Sequence, residues 1–287
     1  MLWETEWFVR TLTIACTNLH QKITDFMAGY RIEKFPKTRI ATIDVCEIGQ
    51  QKHHIAALIE IDVSESREKL KKHKVAGNRI SFTAWLVKAI SLTIKDYELV
   101  AAYLKGNREV VIFSEIIISM VVEKDLNGQK VPVPLLIEKA NERSIGSITT
   151  QISNAKNSKL EDGDIVLQKE SSRMEKLYYT LPGFMRRYVW RYLLKHPKLA
   201  FSRMGNVAIT SVGMFGKVNG WFIPKSVHPI CFGIGSVIKK PVVIDNRIEI
   251  REMLNMTILL DHDVVDGVMM ARFISNLTGN IEKGIDL

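Results

Sequence analysis

The chain has 287 residues, 46% of them hydrophobic, which is enough for one large domain or two small ones with a substantial core. Forty Lys and Arg against 31 Asp and Glu give a net charge of +9, a balance that suits nucleic acid, an anionic membrane surface or an anionic cofactor; the basic residues are dispersed and no nucleic-acid motif accompanies them, so nucleic acid is not an expected partner. No run of about 18 uncharged apolar residues marks a membrane span, and Cys16, Cys46 and Cys231 are too few and too far apart to indicate disulfides or a zinc site, so no metal is expected.

Glu4 and Glu6 stand where a secretory signal would carry bases, which points to a cytoplasmic protein. Residues 4–27 form an imperfect amphipathic pattern through Trp7, Ile14, Leu19, Ile23 and Met27, with Gly29 and Pro36 as stops. Residues 1–38 therefore read as an N-terminal helical extension that packs on the domain or on a neighbouring subunit. From Arg39 to Val63 the texture becomes alternating, and His54-Ile55-Ala56-Ala57-Leu58-Ile59-Glu60-Ile61-Asp62-Val63 reads as a strand. His53 and His54 point to opposite faces of such a strand, so they cannot grip one metal together, and they read as structural or surface histidines. Asp62 and Ser64 are both able to cap a polar helix from Glu65 to Lys74, and Gly77-Asn78 is a turn.

Ser81-Phe82-Thr83 opens a strong helix with Leu86, Ala89, Ile90, Thr93 and Ile94 on its buried stripe. Two β-branched runs follow, Val110 to Phe113 and Ile116 to Val122, and Asn127-Gly128 signals a hairpin into Val131-Pro132-Val133-Pro134. Ser144 is placed to cap a helix carrying Ile145, Ile148 and Ile152. The segment 157–204 has its own helical pattern, and the stretch from Leu181 to Lys195 within it is both basic and aromatic. An ordinary packed insertion is the commoner outcome for such a segment; a lid or partner-docking surface and a membrane-surface helix are the alternatives. Its arginines and tyrosines exclude a span.

Two further apolar, glycine-bearing segments run from Asn206 to Gly216 and from Pro229 to Gly235. The chain ends with Met256-Thr257-Ile258-Leu259-Leu260, a β-like run, then Asp261-His262-Asp263-Val264-Val265-Asp266-Gly267 and a helix with Met270, Ile274, Leu277 and Ile281 on one stripe. A histidine between a buried strand and a helix is held by two rigid elements. Asp266 is suited to cap the helix at the positive end of its dipole.

His262-Asp263-Val264-Val265-Asp266-Gly267 resembles the His-x-x-x-Asp-Gly signature of the CoA-dependent acyltransferases, with the catalytic domains of the dihydrolipoyl acyltransferases of 2-oxoacid dehydrogenase complexes nearest and chloramphenicol acetyltransferase more distant. Asn206-Val207-Ala208-Ile209-Thr210-Ser211-Val212-Gly213-Met214-Phe215-Gly216 is similar to their "Phe-Thr-Ile-Ser-Asn-Leu-Gly-Met-Phe-Gly" segment, and the strand, helix and "Ser-Phe-Thr" helix over residues 59–89 match in order and spacing. The resemblance covers about residues 55–156 and 205–284. It implies an α/β domain over residues 39–287, an α+β sandwich of the chloramphenicol acetyltransferase-like type with a mixed sheet packed with helices, interrupted by the insertion at about 157–204.

The resemblance further implies a CoA-dependent acyltransferase with His262 as general base, Thr210 in the place of the serine that steadies the oxyanion, and Asp266 holding the loop. Coenzyme A is then a substrate, and the chain is a homotrimer or a multiple of trimers with its site between subunits. Asp263 stands where the family commonly has arginine, and the arginine partner of Asp266 has no obvious counterpart, with Lys52 and Arg39 the nearest basic residues in that region. No lipoyl attachment segment occurs in the sequence, so a free-standing acyltransferase acting on CoA and a thiol or other acceptor is the leading expectation. A core subunit of a 2-oxoacid dehydrogenase-type complex, served by a lipoyl domain on another protein, is second. A non-catalytic trimeric scaffold is third.

Overall fold

The computed structural model describes residues 30–33, 35, 38–78, 80–126, 129–157, 177–213, 216 and 218–287. The expected N-terminal helix over residues 4–27 lies outside them, as does the Asn127-Gly128 turn. The chain divides into two compact units, Met1–Pro36 and Lys37–Leu287, and the second carries all the elements below.

In order they are α1 (Thr38–Gly49), β1 (His54–Asp62), α2 (Ser64–Val75), α3 (Phe82–Asp96), a 3-10 turn (Glu98–Ala101), β2 (Tyr103–Lys105), β3 (Glu109–Val111), β4 (Ile118–Leu126), β5 (Gln129–Ile137), α4 (Ile145–Asn157), α5 (Gly183–Lys195), α6 (Pro197–Met204), β6 (Val207–Ser211), β7 (Ile230–Ile244), β8 (Arg247–Asp261) and α7 (Gly267–Glu282). Six strands form one mixed sheet in the order β1-β8-β7-β6-β4-β5, and β2 and β3 make a separate ribbon. The pairs β4–β6 and β6–β7 are parallel and the rest antiparallel. The mixed sheet with packed helices is the α/β architecture that the resemblance implied.

Local chemistry accounts for most boundaries. Ser81 accepts the Ala84 N–H at the start of α3, and Ser144 accepts that of Ser147 at the start of α4, each satisfying a donor that the first helical turn leaves without a partner. Ahead of α2, Asp62 accepts the Ser64 N–H at 2.9 Å. Pro132 and Pro134 lie in β5, an edge strand of the sheet, where a missing N–H costs no ladder bond on the open side. The two 15-residue strands β7 and β8 close through Asp245 and Asn246, both at positive φ (47° and 59°), which is the two-residue hairpin geometry that matches strand twist.

One segment departs from the sequence reading. The alternation seen from Arg39 onward is not a strand: residues 38–49 are helical, and only from His54 does the period-two pattern hold. Thr42, Ile43, Val45 and Ile48 look β-like by type, yet Asp44 and Ile48 are the side chains that α1 buries, four residues apart and so on one helical face. Tertiary contact with α5 overrides local preference here.

Helices α2, α3, α4 and α7 join the sheet in one core, with Trp85, Phe273, Ile90 and Ile94 fully buried between the layers. A second, smaller cluster of Ile48, Tyr103, Ala200, Met204 and Val227 holds α1, β2 and α6 together, and Trp190, Leu193 and Leu194 of α5 pack on it. Helix α5, within the segment 157–204, is thus packed on one side. On the other side α5 exposes Phe184, Met185, Tyr188, Val189 and Tyr192.

The join between α1 and α5 is electrostatic. Arg186 Nε donates to Asp44 Oδ2 at 2.7 Å, Tyr178 donates its hydroxyl to the same oxygen, and Trp190 Nε1 donates to the Tyr178 oxygen at 2.9 Å. Burial first, and then the Asp44 carboxylate, push the Tyr178 hydroxyl well above its ordinary pKa, so it stays a donor. Asp44 is 1% exposed, and removing its cation leaves a carboxylate in an apolar setting. Arg186→Met is expected to cost about 3 kcal/mol in urea unfolding, against at most about 0.5 kcal/mol for the solvent-facing Arg191→Met.

Candidate active site

β8 carries its apolar run to Asp261, where the strand ends and a tight turn begins. The Asp261 carbonyl accepts the N–H groups of Val264 (3.1 Å) and Val265 (3.2 Å), and its carboxylate accepts that of Asp263 at 3.3 Å. Val265 is buried beneath the turn. Asp266 then caps α7, its Oδ1 accepting the Met269 N–H at 2.8 Å. His262 sits in the middle with an exposed side chain, its backbone N–H bound to the His53 carbonyl at 3.0 Å. The imidazole is therefore presented to solvent from a turn that is fixed on both sides.

Under this turn lies a polar cluster. Asp261, 3% exposed at its side chain, pairs with Lys52 Nζ at 2.6 Å. His54, opposite Asp261 in the β1–β8 register, has Nε2 2.9 Å from the His228 carbonyl. His228 in turn has Nε2 2.9 Å from the Met204 carbonyl and Nδ1 3.2 Å from Ser226 Oγ. Because a carbonyl can only accept, each Nε2 carries the proton and the rings are neutral. Burial lowers both pKa values, that of His228 to about 4, with the charge of Lys52 adding to the effect. Cys231 is buried nearby, and burial pushes its thiol up to about 12, so it is not an available nucleophile.

Ion pairing to Asp266 does not occur among the described residues. Lys52, one of the two basic residues considered for that role from sequence, is committed to Asp261 instead.

Thr210 is elsewhere. It lies on β6 opposite Gly233 of β7, which is opposite Thr257 of β8, so these three share one face of the sheet. His262 continues the other face of β8, that of Ile258 and Leu260, and lies five residues beyond Thr257. At about 4.8 Å per strand spacing and 3.3 Å per residue, Thr210 and His262 of one chain are separated by on the order of 19 Å. The structure brings His262 and Asp266 together in one turn and does not bring Thr210 to them.

Around Thr210 the chain is tightly layered. Residues 218–224 cross the sheet, tied by Asn255 Nδ2 to the Gly220 carbonyl at 3.2 Å and by Trp221 Nε1 to the Ile59 carbonyl at 2.9 Å. A Cβ at Gly233 would stand 2.8 Å from the Phe222 oxygen, and one at Gly213 would stand 2.0 Å from the Gly235 oxygen, which is why the sequence is glycine-rich on both strands. On the helix-facing side, Arg67, Phe82, Thr83, Ser211, Gly213 and Ser236 help to line a cavity of about 260 Å³. The sequence reading singled out none of these as site residues; a glycine-flanked hydroxyl pattern at Ser211 and Ser236 was the available signal.

A mixed sheet whose longest hairpin delivers a histidine to a capped helix defines an α/β domain with a candidate site centred on that histidine. The model of the 2-oxoacid dehydrogenases acyltransferase (catalytic domain) family matches residues 47–166 and 194–287, and the chain belongs to that family. It is similar to the lipoamide acyltransferase component of the branched-chain alpha-keto acid dehydrogenase complex of Bacillus subtilis, 24% identical over 236 residues covering 80% of this chain and 47% of that one. It is similar as well to the dihydrolipoyllysine-residue acetyltransferase component of the pyruvate dehydrogenase complex of Mycoplasma genitalium, 24% identical over 253 residues covering 85% and 56%. The chain thus spans about half the length of the curated relatives it matches. A probable dihydrolipoamide acetyltransferase from Listeria monocytogenes shares the fold, with a TM-score of 0.64 at 20% identity over 90% of this chain and 96% of that one. The family match skips residues 167–193, which hold most of α5.

The neutral histidine beneath the turn sets a pH limit. Above pH 6.5 His228 is neutral folded or unfolded and contributes no slope. As pH falls through 6.5 the unfolded chain binds a proton that the folded chain refuses until about pH 4, so stability drops across that window. The loss reaches about 3 kcal/mol at its acid end. Urea midpoints taken from pH 7 to pH 4 are expected to fall, and His228→Gln, which keeps a donor for the Met204 carbonyl, is expected to flatten the decline.

Proposed function

We propose that the chain is a CoA-dependent acyltransferase in which His262 is the general base. The observation that carries this reading is the His262 turn itself: a solvent-presented imidazole braced by the Lys52–Asp261 pair below and the Asp266 cap behind, inside a segment that matches the family's catalytic domain. A thiol with an ordinary pKa near 8.5 is only a few per cent thiolate at neutral pH. A neutral imidazole that takes the proton as the sulfur attacks a thioester carbonyl is worth about 10²–10⁴ in rate. Asp266 acts as a positioning residue, through the helix cap.

Thr210 supplies a hydroxyl to the oxyanion of the tetrahedral intermediate, a donor of the kind whose loss costs about 3 kcal/mol. The separation of Thr210 from His262 within one chain then requires that the two halves come from different copies, arranged head to tail around a closed ring. A homotrimer, or a multiple of it, meets that need. In keeping with this, the β7–β8 hairpin runs on past its last β1 partner at Met253 as a two-stranded ribbon with Val243, Ile248 and Ile250 each more than two-thirds exposed. Apolar side chains on a free ribbon favour a covering copy.

The relatives' names place them in 2-oxoacid dehydrogenase complexes, and the second form of the proposal is a core acyltransferase of such a complex that receives its acyl group from a lipoyl domain on another protein. In both forms coenzyme A is a substrate. A non-catalytic scaffold on the same fold is disfavoured by the presentation of His262, since a purely structural turn has no use for an exposed imidazole between two anchored residues.

Acyl-CoA consumption with dihydrolipoamide as acceptor tests the reading. His262→Ala is expected to lower turnover at least 10²-fold; equal rates in both would overturn it. Co-expression of His262→Ala with Thr210→Val, each inactive alone, is expected to restore about a quarter of wild-type activity if each site takes one residue from each of two copies. No recovery in a mixed oligomer would remove Thr210 or the shared site.

A further inference from the structure

A second imidazole lies beside His262, and the proposed chemistry has so far given it no task. The β1–β8 register pairs His54 with Asp261, and one step further out the His262 N–H donates to the His53 carbonyl. His54 and Asp261 face each other at the last paired position, and His53 and His262 face each other one step beyond it, where the strands give way to the turn and both side chains are exposed. Cross-strand neighbours of this kind have Cβ atoms about 5 Å apart. The alternation that prevents His53 and His54 from sharing a metal is what sets His53 next to His262.

His53 is also aimed. Its Nδ1 lies 2.9 Å and 3.0 Å from the two oxygens of Asp263, the residue directly after His262. A carboxylate only accepts, so Nδ1 carries the proton and Nε2 faces outward with no hydrogen bond among the described residues. The carboxylate–imidazole arrangement with one nitrogen anchored and the other free is the geometry by which a histidine is oriented for proton transfer. The two side chains are 75% and 41% exposed, so this is not a buried pair held for stability. The hydrogen bond and charge of Asp263 raise the His53 pKa above 6.5, with Asp261 adding to the rise and Lys52 opposing it.

We infer that His53, oriented by Asp263, is the proton donor to the leaving thiolate, while His262 is the base toward the attacking acceptor. This rests on the acyltransfer reading above. In the step, the acceptor X–H loses its proton to His262 and X bonds to the thioester carbonyl carbon. His53 enters the step as the imidazolium, its Nδ1–H held by Asp263; the intermediate collapses with cleavage of the C–S bond, and the sulfur takes the proton on Nε2. The site is left with His262 protonated and His53 neutral, and one proton passed from the first to the second through solvent restores it. The sum is acyl-S-CoA plus X–H giving acyl-X plus CoA-SH. Separating acid from base removes the need for one imidazole to carry a proton from one side of the reaction to the other, and it explains why an acid stands after His262: an arginine at 263 would turn His53 loose.

The test compares two donors, acetyl-CoA and S-(4-nitrophenyl) thioacetate, each with dihydrolipoamide as acceptor. The nitrophenyl thiolate leaves without protonation, so an acid is needed only for CoA. His53→Gln is expected to lower kcat with acetyl-CoA about 10²-fold and to leave the nitrophenyl donor nearly unchanged, whereas His262→Ala is expected to lose both. The alkaline limb of the acetyl-CoA kcat profile is expected to move to lower pH in Asp263→Asn and to vanish in His53→Gln. Equal losses of His53→Gln on both donors would mean that the pair only clamps the turn, and would overturn the assignment, as would no loss on either. A wild-type protein inactive with acetyl-, succinyl- and isobutyryl-CoA would overturn the acyltransfer reading itself, and this inference with it.

Discussion

The buried ion pair between Lys52 and Asp261 is the constraint on which the site depends. It sits where β1 begins and β8 ends, so it fixes the relative register of two strands that are far apart in sequence. A buried pair contributes little net stability compared with an apolar substitute, but losing one partner leaves a desolvated charge at a cost of several kcal/mol. The pair therefore acts as a registry device. A slip of one residue between β1 and β8 would strand Asp261 without Lys52 and would part His262 from His53. The direction in which the imidazole points is thus set one residue away from it, by a lysine that makes no contact with the site's open side.

From that registry the two faces acquire different chemistry. Inward, Asp261, His54 and His228 form a sequence of satisfied polar groups that reaches Met204 at the end of α6. The insertion is connected in this way to the same end of the sheet as His262, and α1, clamped to α5 through Asp44, leads directly into Lys52. Outward, His53, Asp263 and His262 are exposed. The neutral histidines inside cannot compete for protons at neutral pH because burial holds them below their ordinary range, so under the proposed reading proton transfer falls to the outer pair.

Much of this was legible from residue order. The helices begun by Ser81 and Ser144, the β4 and β5 runs and the His262 turn all combine local propensity, periodicity and capping that agree with one another, which is when sequence reading succeeds. Residues 38–49 failed because β-branched side chains mask a helical face whose anchor is Asp44, a polar residue whose burial is explained by its contacts with Arg186 and Tyr178. The long β7–β8 hairpin does not stand out in the sequence because the runs Pro229 to Gly235 and Met256 to Leu260 mark only the ends away from its turn, though Asp245-Asn246 is a turn signal of the right length. His53 was dismissed by a correct rule about alternation, applied to its neighbour in sequence and not to its neighbour across the sheet. That partner is invisible until the register is known.

The same register explains why a single chain is an incomplete catalyst under the proposed reading. Thr210 shares its row with Gly233 and Thr257, and His262 lies beyond the end of that row on the other face. No loop motion closes such a gap, because both residues belong to one sheet and move with it; a side-chain rotation gains a few ångströms against a separation on the order of 19 Å. Rigidity that keeps His262 aimed also keeps Thr210 away. The two demands are reconciled only when the surface bearing Thr210 in one copy meets the turn bearing His262 in the next, so that oligomer formation becomes a step in building the site. On this view the exposed ends of β7 and β8 are part of the catalytic design: the apolar ribbon that one chain leaves uncovered is what draws in the copy that completes it.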